Sequence, residues 1–307
     1  MKIVFMGSPE FSVPCLKVLA ESGHEVAAVF TQPDKARGRR GNQLVPTAVK
    51  SAALEYNYPV YQPLSLRKGE DAEKSMQILK DISPDLIVVT AYGQILPKEI
   101  LDLPKYGCIN IHASLLPQYR GAAPINWVIL NNEKETGVTS MQMSEGLDTG
   151  DMLIKKSTPI GENEIYEDLY ARLSVMGGEV LKETIDSLEK NTLTPEKQND
   201  ELSSYSPMIK KEMSALDFTK SAQEVHNIIR GVTGFTMLDG KRLKIFRSEI
   251  ADICGEAGTI SDEKIFAVAC GDGKSVVFKE LQPEGKKRMK TEDFLRGKKL
   301  RKGEILG

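Results

Sequence analysis

Apolar and polar positions alternate differently in the two parts of this chain. In the first part, "KIVFMG" reads as a buried strand closed by a glycine, and "FSVPCLKVLAESG" as an amphipathic helix after it. "EVAAVF" predicts a second strand, a helix is expected to follow Pro46, through Tyr56, and "YPVYQP" is a short strand. In "EDAEKSMQILKDI", Ala72, Met76, Leu79 and Ile82 are spaced to share one helical face. "DLIVVT" and "GCINIH" are two further apolar strands. Strands alternating with helices imply a Rossmann-like α/β domain, with a mostly parallel sheet covered on both faces. "TGVTSMQM" and "DMLIKKSTPI", joined by the turn "SEGLDTG", are expected as an antiparallel pair at one edge of that sheet. A long helix is predicted over 166–189.

The pattern then changes. "KNTLTPEKQNDELSSYSP" is polar, lacks periodicity and reads as a linker. Beyond it come one helix, "QEVHNIIRGV", and short strands in "KRLKIFRSEI", "AGTI", "KIFAVACGDG" and "SVVFKELQP". Short strands punctuated by Gly, Asp and Pro suit a small β-barrel or sandwich, and an OB-like barrel is expected. The expected organisation is therefore a catalytic domain over 1–190, a linker over 191–206, and a small barrel over 207–307.

Charge sharpens this division. The 307 residues are 40% hydrophobic and 27% charged, with a formal net charge of −2. From Ser206 onward, 20 Lys+Arg face 15 Asp+Glu, a net of +5, while the rest carries 21 against 28, a net of −7. An acidic body with a basic C-terminal third points to a polyanionic partner for that third. The four cysteines, Cys15, Cys108, Cys254 and Cys270, form no C-x-x-C pair and read as reduced core residues. "MKIVFMG" is too short for a signal peptide or a membrane span, so a cytoplasmic protein is expected. No metal-ligand spacing appears. The first loop, "GSPEFS", lacks the G-x-G-x-x-G of a dinucleotide site, which disfavours a nicotinamide-dependent enzyme.

The chemistry gathers around "GCINIHASLLPQYRGAAP", residues 107–124. Side chains alternate along a strand, so Ile109 and Ile111 face one way and Asn110 and His112 the other. Both polar residues lie at the C-terminal end of a parallel strand, the edge where open α/β sheets bind their ligands. "SEGLDTGD" supplies a carboxylate, Asp148, on a glycine-flanked turn. Folded back beside His112, it would hold the ring's orientation and make it a usable proton acceptor. An amide and an imidazole can stabilise a tetrahedral oxyanion, and an imidazole with a carboxylate can accept a proton. With no serine or cysteine nucleophile in the set, the nucleophile is the substrate, for example an amine.

"GCINIHASLLPQYRGAAPI" with "GLDTGD" resembles the formyltransferases that use 10-formyltetrahydrofolate. "GSPEF", "TQPDKARGR", "AYGQILP", "TGVTSMQM" and "LQPEGKKRM" extend the resemblance over nearly the whole chain. It implies Asn110, His112 and Asp148 as the catalytic set. It assigns Ser114, Leu115, Leu116 and Pro117 to folate binding, and Gln94, Ile95 and Leu96 to the segment that cradles the pterin ring. The co-substrate implied is 10-formyltetrahydrofolate, without a metal, and the acceptor implied is initiator methionyl-tRNA. The family commonly has a Pro-Trp pair where this chain has Gly234 and Phe235.

The basic loop "PDKARGRRG" carries Lys35, Arg37, Arg39 and Arg40, and a second cluster holds Lys286, Lys287, Arg288 and Lys290. Lys298, Lys299, Arg301 and Lys302 form a third. The resemblance turns Lys35, Arg37, Arg39, Arg40, Lys286, Lys287 and Arg288 into expected tRNA contacts in a monomeric protein. A formyltransferase acting on a small amine such as a nucleotide sugar would share the catalytic residues, but the basic loop and basic extra domain argue against it. A formyl-folate hydrolase is related chemistry with water as acceptor. A non-catalytic RNA-binding protein would not need all three catalytic positions.

Overall fold

A computed structural model of the chain describes residues 1–37 and 43–306. The apolar runs form strands and the periodic segments form helices. In chain order these are β1 (Lys2–Gly7), α1 (Val13–Glu21), β2 (Glu25–Phe30), the short strands β3 (Lys35–Arg37) and β4 (Gln43–Val45), α2 (Ala48–Glu55) and β5 (Val60–Tyr61). Then follow α3 (Glu70–Ile82), β6 (Leu86–Thr90), α4 (Lys98–Leu101) and β7 (Cys108–His112). Beyond β7 lie β8 (Arg120–Gly121), α5 (Pro124–Leu130), β9 (Glu135–Gln142), β10 (Met152–Pro159) and α6 (Tyr166–Glu189). α3 shows why these boundaries fall where they do. Glu70, Asp71 and Glu73 sit in its first turn and Lys80 in its last, matching the helix dipole, and Leu79 is fully buried.

The chain divides into two compact units. The first comprises 1–121, 136–158 and 170–205; the second comprises 122–135, 159–169 and 206–307. The first unit is built on a seven-stranded sheet of order β10-β9-β7-β6-β1-β2-β5. β1, β2, β5, β6 and β7 run parallel, and β9 is antiparallel to β7. Gln142 N–H donates to Asp151 O, and Gly137 closely approaches Lys156 O, so β10 returns antiparallel along β9 at the sheet edge. Strand order reverses between β1 and β6, and such a reversal opens a crevice at the carboxyl ends of the strands. One face of the sheet buries Val4, Met6, Ala28, Phe30, Ile87 and Val89 with Leu79 of α3. Each of the larger side chains contributes about 1.5–3 kcal/mol by leaving water. On the other face, Gly177 and Gly178 let α6 approach closely. Side chains there would lie 3.3 Å from Ile111 Cγ2 and from Pro14 O, respectively. Ile111 is thereby pinned under α6, which commits the opposite face of β7 to its polar residues.

After β11 (Tyr205–Ser206), the second unit continues with α7 (Ala222–Val232), β12 (Gly234–Leu238), β13 (Lys241–Ala251), β14 (Ile260–Asp262), β15 (Ala267–Ala269), β16 (Ser275–Pro283), β17 (Met289–Lys290) and α8 (Thr291–Gly297). Its strands form a six-stranded antiparallel sheet of order β12-β13-β16-β15-β14, with β17 paired to β16. Phe266 and Phe278 meet edge-on at 5.0 Å, and Phe294 stacks on Phe266 at 6.0 Å. α7 starts with a capping box between Ser221 and Glu224 and buries Val225 and Ile229. α5 groups with this unit because its apolar residues meet α7. The Asn126 amide donates to Gly231 O at 2.8 Å, and Ile129 and Leu130 close over Gly231. Gly234 lies tight against Leu216, and the Arg242 guanidinium covers the Phe235 ring at 3.7 Å.

The polar segment 191–206 is tied down rather than loose. Glu196 and Met152 exchange two backbone hydrogen bonds of 2.8 Å. Cys15, Cys108 and Cys270 are buried, and burial pushes each thiol up to about 12, whereas Cys254 is exposed and is not a core residue. Among the described residues, no helix is long and apolar enough to cross a membrane, and no group of three or more His, Cys, Asp or Glu is placed to hold a metal ion.

Candidate active site

β7 lies inside the sheet between β6 and β9, with Asn110 paired to Val89 and Met141, and His112 to Thr139. Ile109 and Ile111 are buried at 1% and 2% exposure, while Asn110 is half-buried. The strand ends at His112, so the imidazole sits at the carboxyl edge of the sheet.

His112 is held on two sides. Its Nε2 lies 2.9 Å from Tyr119 O, and its Nδ1 lies 3.7 Å from Asp148 Oδ2. A carbonyl only accepts, so Nε2 carries the proton, and Nδ1 is the ring atom able to take another. At 3.7 Å the carboxylate is beyond a strong hydrogen bond but well placed to stabilise an imidazolium. Both side chains are largely withdrawn from water, at 7% and 13% exposure, where a charge is felt more strongly than on the surface. Asp148 adopts a left-handed backbone (φ 52°), a conformation Asp tolerates in turns. Its Oδ2 accepts a hydrogen bond from Gly121 N–H at 2.8 Å, which aims the carboxylate. The three expected residues thus gather at one sheet edge.

The loop after β7 is fastened to β9. Thr139 Oγ1 donates to Ser114 O at 2.7 Å and accepts from Leu116 N–H at 3.2 Å. Ser114 is fully buried and its hydroxyl donates to Gln118 O. Leu116 packs with Met141 and Met152, next to the cis bond to Pro117. Of the second expected segment, Gln94 uses its whole amide on the backbone: Oε1 accepts from Leu66 N–H and Nε2 donates to Pro63 O, both at 2.9 Å. Leu96 is buried, whereas Ile95 is 62% exposed. Gln94 therefore shapes a loop, leaving Ile95 as the accessible apolar side chain.

The formyl transferase family model matches residues 1–185, and the model of the formyl transferase C-terminal domain matches 208–299. The chain belongs to the formyl transferase family. It is 52% identical to methionyl-tRNA formyltransferase of Citrifermentans bemidjiense, over 100% of this chain and 96% of that protein. It is 48% identical to methionyl-tRNA formyltransferase of Alkaliphilus oremlandii, over the full length of both. Among solved structures, it is similar in fold to WlaRD, a sugar 3N-formyl transferase determined with dTDP and 5-N-formyl-THF. That likeness has a TM-score of 0.69 at 24% identity and covers 94% of this chain and 99% of that one.

Within this formyl transferase the basic candidates fare unequally. Lys35 is exposed on β3, and the strand is rooted by a network in which Lys50 Nζ donates to Asp34 and Gln62. The Gln62 amide in turn donates to Asp34 and Gln32 O. Lys50 beside Asp34 holds its carboxyl below the usual range. The backbone of Arg37 lies in β3; Arg39 and Arg40 fall outside the described residues. Lys286 and Lys287 are exposed. Arg288 is engaged by neighbouring side chains. Its guanidinium pairs with Glu280 at 2.7 Å and Glu167 at 3.1 Å and lies over Phe246 at 4.1 Å. A planar guanidinium suits carboxylate pairing and aromatic stacking together. Tyr119, Gly121 and Thr139, which hold the site, escape a sequence reading. They act through backbone groups or as ordinary strand polarity, and only the nearness of Tyr119 and Gly121 to His112 offered a signal.

Proposed function

We propose that this chain transfers the formyl group of 10-formyltetrahydrofolate to the α-amino group of initiator methionyl-tRNA. The observation that carries the reading is the pairing of His112 Nδ1 with Asp148 at 3.7 Å at the end of β7, in a formyl transferase whose full-length relatives are named for that acceptor. The amine attacks the formyl carbon, a new N–C bond forms, and negative charge collects on the formyl oxygen. Asn110 donates to that oxygen. The amine proton passes to His112 Nδ1, and Asp148 stabilises the resulting imidazolium. The bond to N10 of the folate then breaks, and that nitrogen takes up a proton as tetrahydrofolate leaves.

Ser114, Leu115, Leu116 and Pro117 form one wall for the folate, with Ile95 and Leu96 on the other side and Gln94 shaping the loop that carries them. Lys35, Arg37, Arg39 and Arg40 reach acceptor-stem phosphates, and Lys286, Lys287 and Arg288 supply further contacts from the C-terminal domain. Such contacts make binding steeply salt-dependent. Catalysis is assigned to 1–190 and backbone binding to 207–307, with 191–206 between them. The reading also makes the chain a cytoplasmic monomer, and a dimer by sedimentation would remove that part alone. The deciding experiment mixes the purified protein and 10-formyltetrahydrofolate with methionyl-tRNA, free methionine or an amino-sugar nucleotide. Formyl methionyl-tRNA is the expected product; preferential formylation of the sugar, or hydrolysis without acceptor, would overturn the reading.

A further inference from the structure

We propose that Gln198 is a positioning residue for formyl transfer, holding the turn that presents Asp148 to His112. The inference rests on the catalytic reading of Asp148 given above. Gln198 lies 50 residues from Asp148 in sequence, in the polar stretch beyond the residues matched by the N-terminal family model. Its Nε2 donates to Asp148 O at 2.8 Å and to Gly150 O at 2.7 Å. Its Oε1 accepts from Arg120 Nε at 2.9 Å, and Arg120 also pairs with Asp200 at 2.8 Å. One side-chain amide therefore ties together the two backbone stretches that meet at the carboxylate. One stretch holds Asp148, and the other runs through Arg120 to Gly121, whose N–H binds Asp148 Oδ2.

The turn has little other freedom. A side chain at Gly150 would fall 1.6 Å from Gln142 O, so the turn lies directly on β9. The Gln198 segment is anchored by the paired bonds between Glu196 and Met152. β9 fixes one side of the turn and Gln198 the other. Asp148 sits between them in a left-handed conformation. Without Gln198 the two carbonyls turn to water, the turn samples other conformations, and the carboxylate leaves its place beside Nδ1 for part of the time.

The test is a double-mutant cycle with an activity-independent arm. Gln198→Ala should lower kcat about tenfold to thirtyfold, the scale of two lost hydrogen bonds, with KM for the formyl donor within about twofold. Gln198→Glu keeps the acceptor for Arg120 but cannot donate, so it should fall at least as far as the alanine variant. In an Asp148→Ala background, Gln198→Ala should cost less than about twofold more, because its effect runs through the carboxylate. In the free enzyme, amide exchange over 144–151 should accelerate about tenfold in Gln198→Ala while β1 and β6 exchange as before. Equal losses in both backgrounds, wild-type turnover by Gln198→Glu, or unchanged exchange over 144–151 would each overturn the proposal. The exchange arm does not depend on which amine accepts the formyl group. A wrong acceptor would therefore show in turnover while leaving the brace measurable.

Discussion

Thr139 makes a sharp test of how the proposed folate wall is held. It is fully buried on β9, and its hydroxyl is the link between that strand and the loop of residues 114–117. Thr139→Val replaces the hydroxyl by a methyl group of similar size, leaving Leu116 N–H and Ser114 O without their partner. A buried polar group left unpaired costs about 1–3 kcal/mol, so the two together imply a loss of about 2 kcal/mol even with partial rescue by water. That loss must appear in one of two places. If the loop stays docked, the whole unit is destabilised, and melting falls by roughly 4–8 °C at about 2–4 °C per kcal/mol. If the loop lifts instead, melting is preserved and the docked state must be rebuilt on binding. Affinity for tetrahydrofolate then weakens about thirtyfold, since each 1.4 kcal/mol is tenfold. Calorimetric melting and isothermal titration with tetrahydrofolate read both quantities on the same sample. Thr139→Ser keeps the hydroxyl and should lose far less in each. A valine variant with melting within about 1 °C of wild type and affinity within twofold would refute the reasoning.

Asn110→Ala should lower kcat about 10²–10³-fold, as expected for one oxyanion donor, with folate affinity retained; wild-type turnover would remove Asn110 from the mechanism. Neutralising Arg37, Arg39 and Arg40 together should raise KM for tRNA and flatten its dependence on salt, leaving the donor KM unchanged, and an unaltered tRNA KM at low salt counts against the basic loop. His226, buried between Ser248 and the Glu162 carbonyl, has its pKa lowered chiefly by burial, with Arg230 adding to the shift. The unfolded chain therefore binds this proton more readily, so stability is retained near neutral pH and declines as pH falls below about 6.5. Urea unfolding of the second unit at pH 7.5, 6 and 5 should show this decline, and His226→Gln should flatten it; identical pH slopes would show that the imidazole does not titrate as described.

Much of this protein was legible from local pattern. α3 and α6 follow from apolar residues recurring at helical spacing, because a helix face is decided by neighbours three and four positions away. The polar face of β7 follows from strict alternation, so Asn110 and His112 could be placed together without coordinates. β12 and α8 were missed. Gly234–Leu238 holds a glycine and a threonine at inward positions, and Thr291–Gly297 is too short for a periodicity to emerge. Packing against neighbours decides such segments. The same limit applies at the site. Asp148 could be named, but its aim depends on Gly121 N–H, 27 residues away, and on Gln198, 50 residues away. The pairing of Arg288 with Glu167, 121 residues distant, is likewise invisible to a local reading. Sequence alone determined which residues share a strand face and which stretches fold as elements. The tertiary structure alone decided which carboxylate meets which ring or guanidinium, because those meetings depend on how distant backbone segments pack.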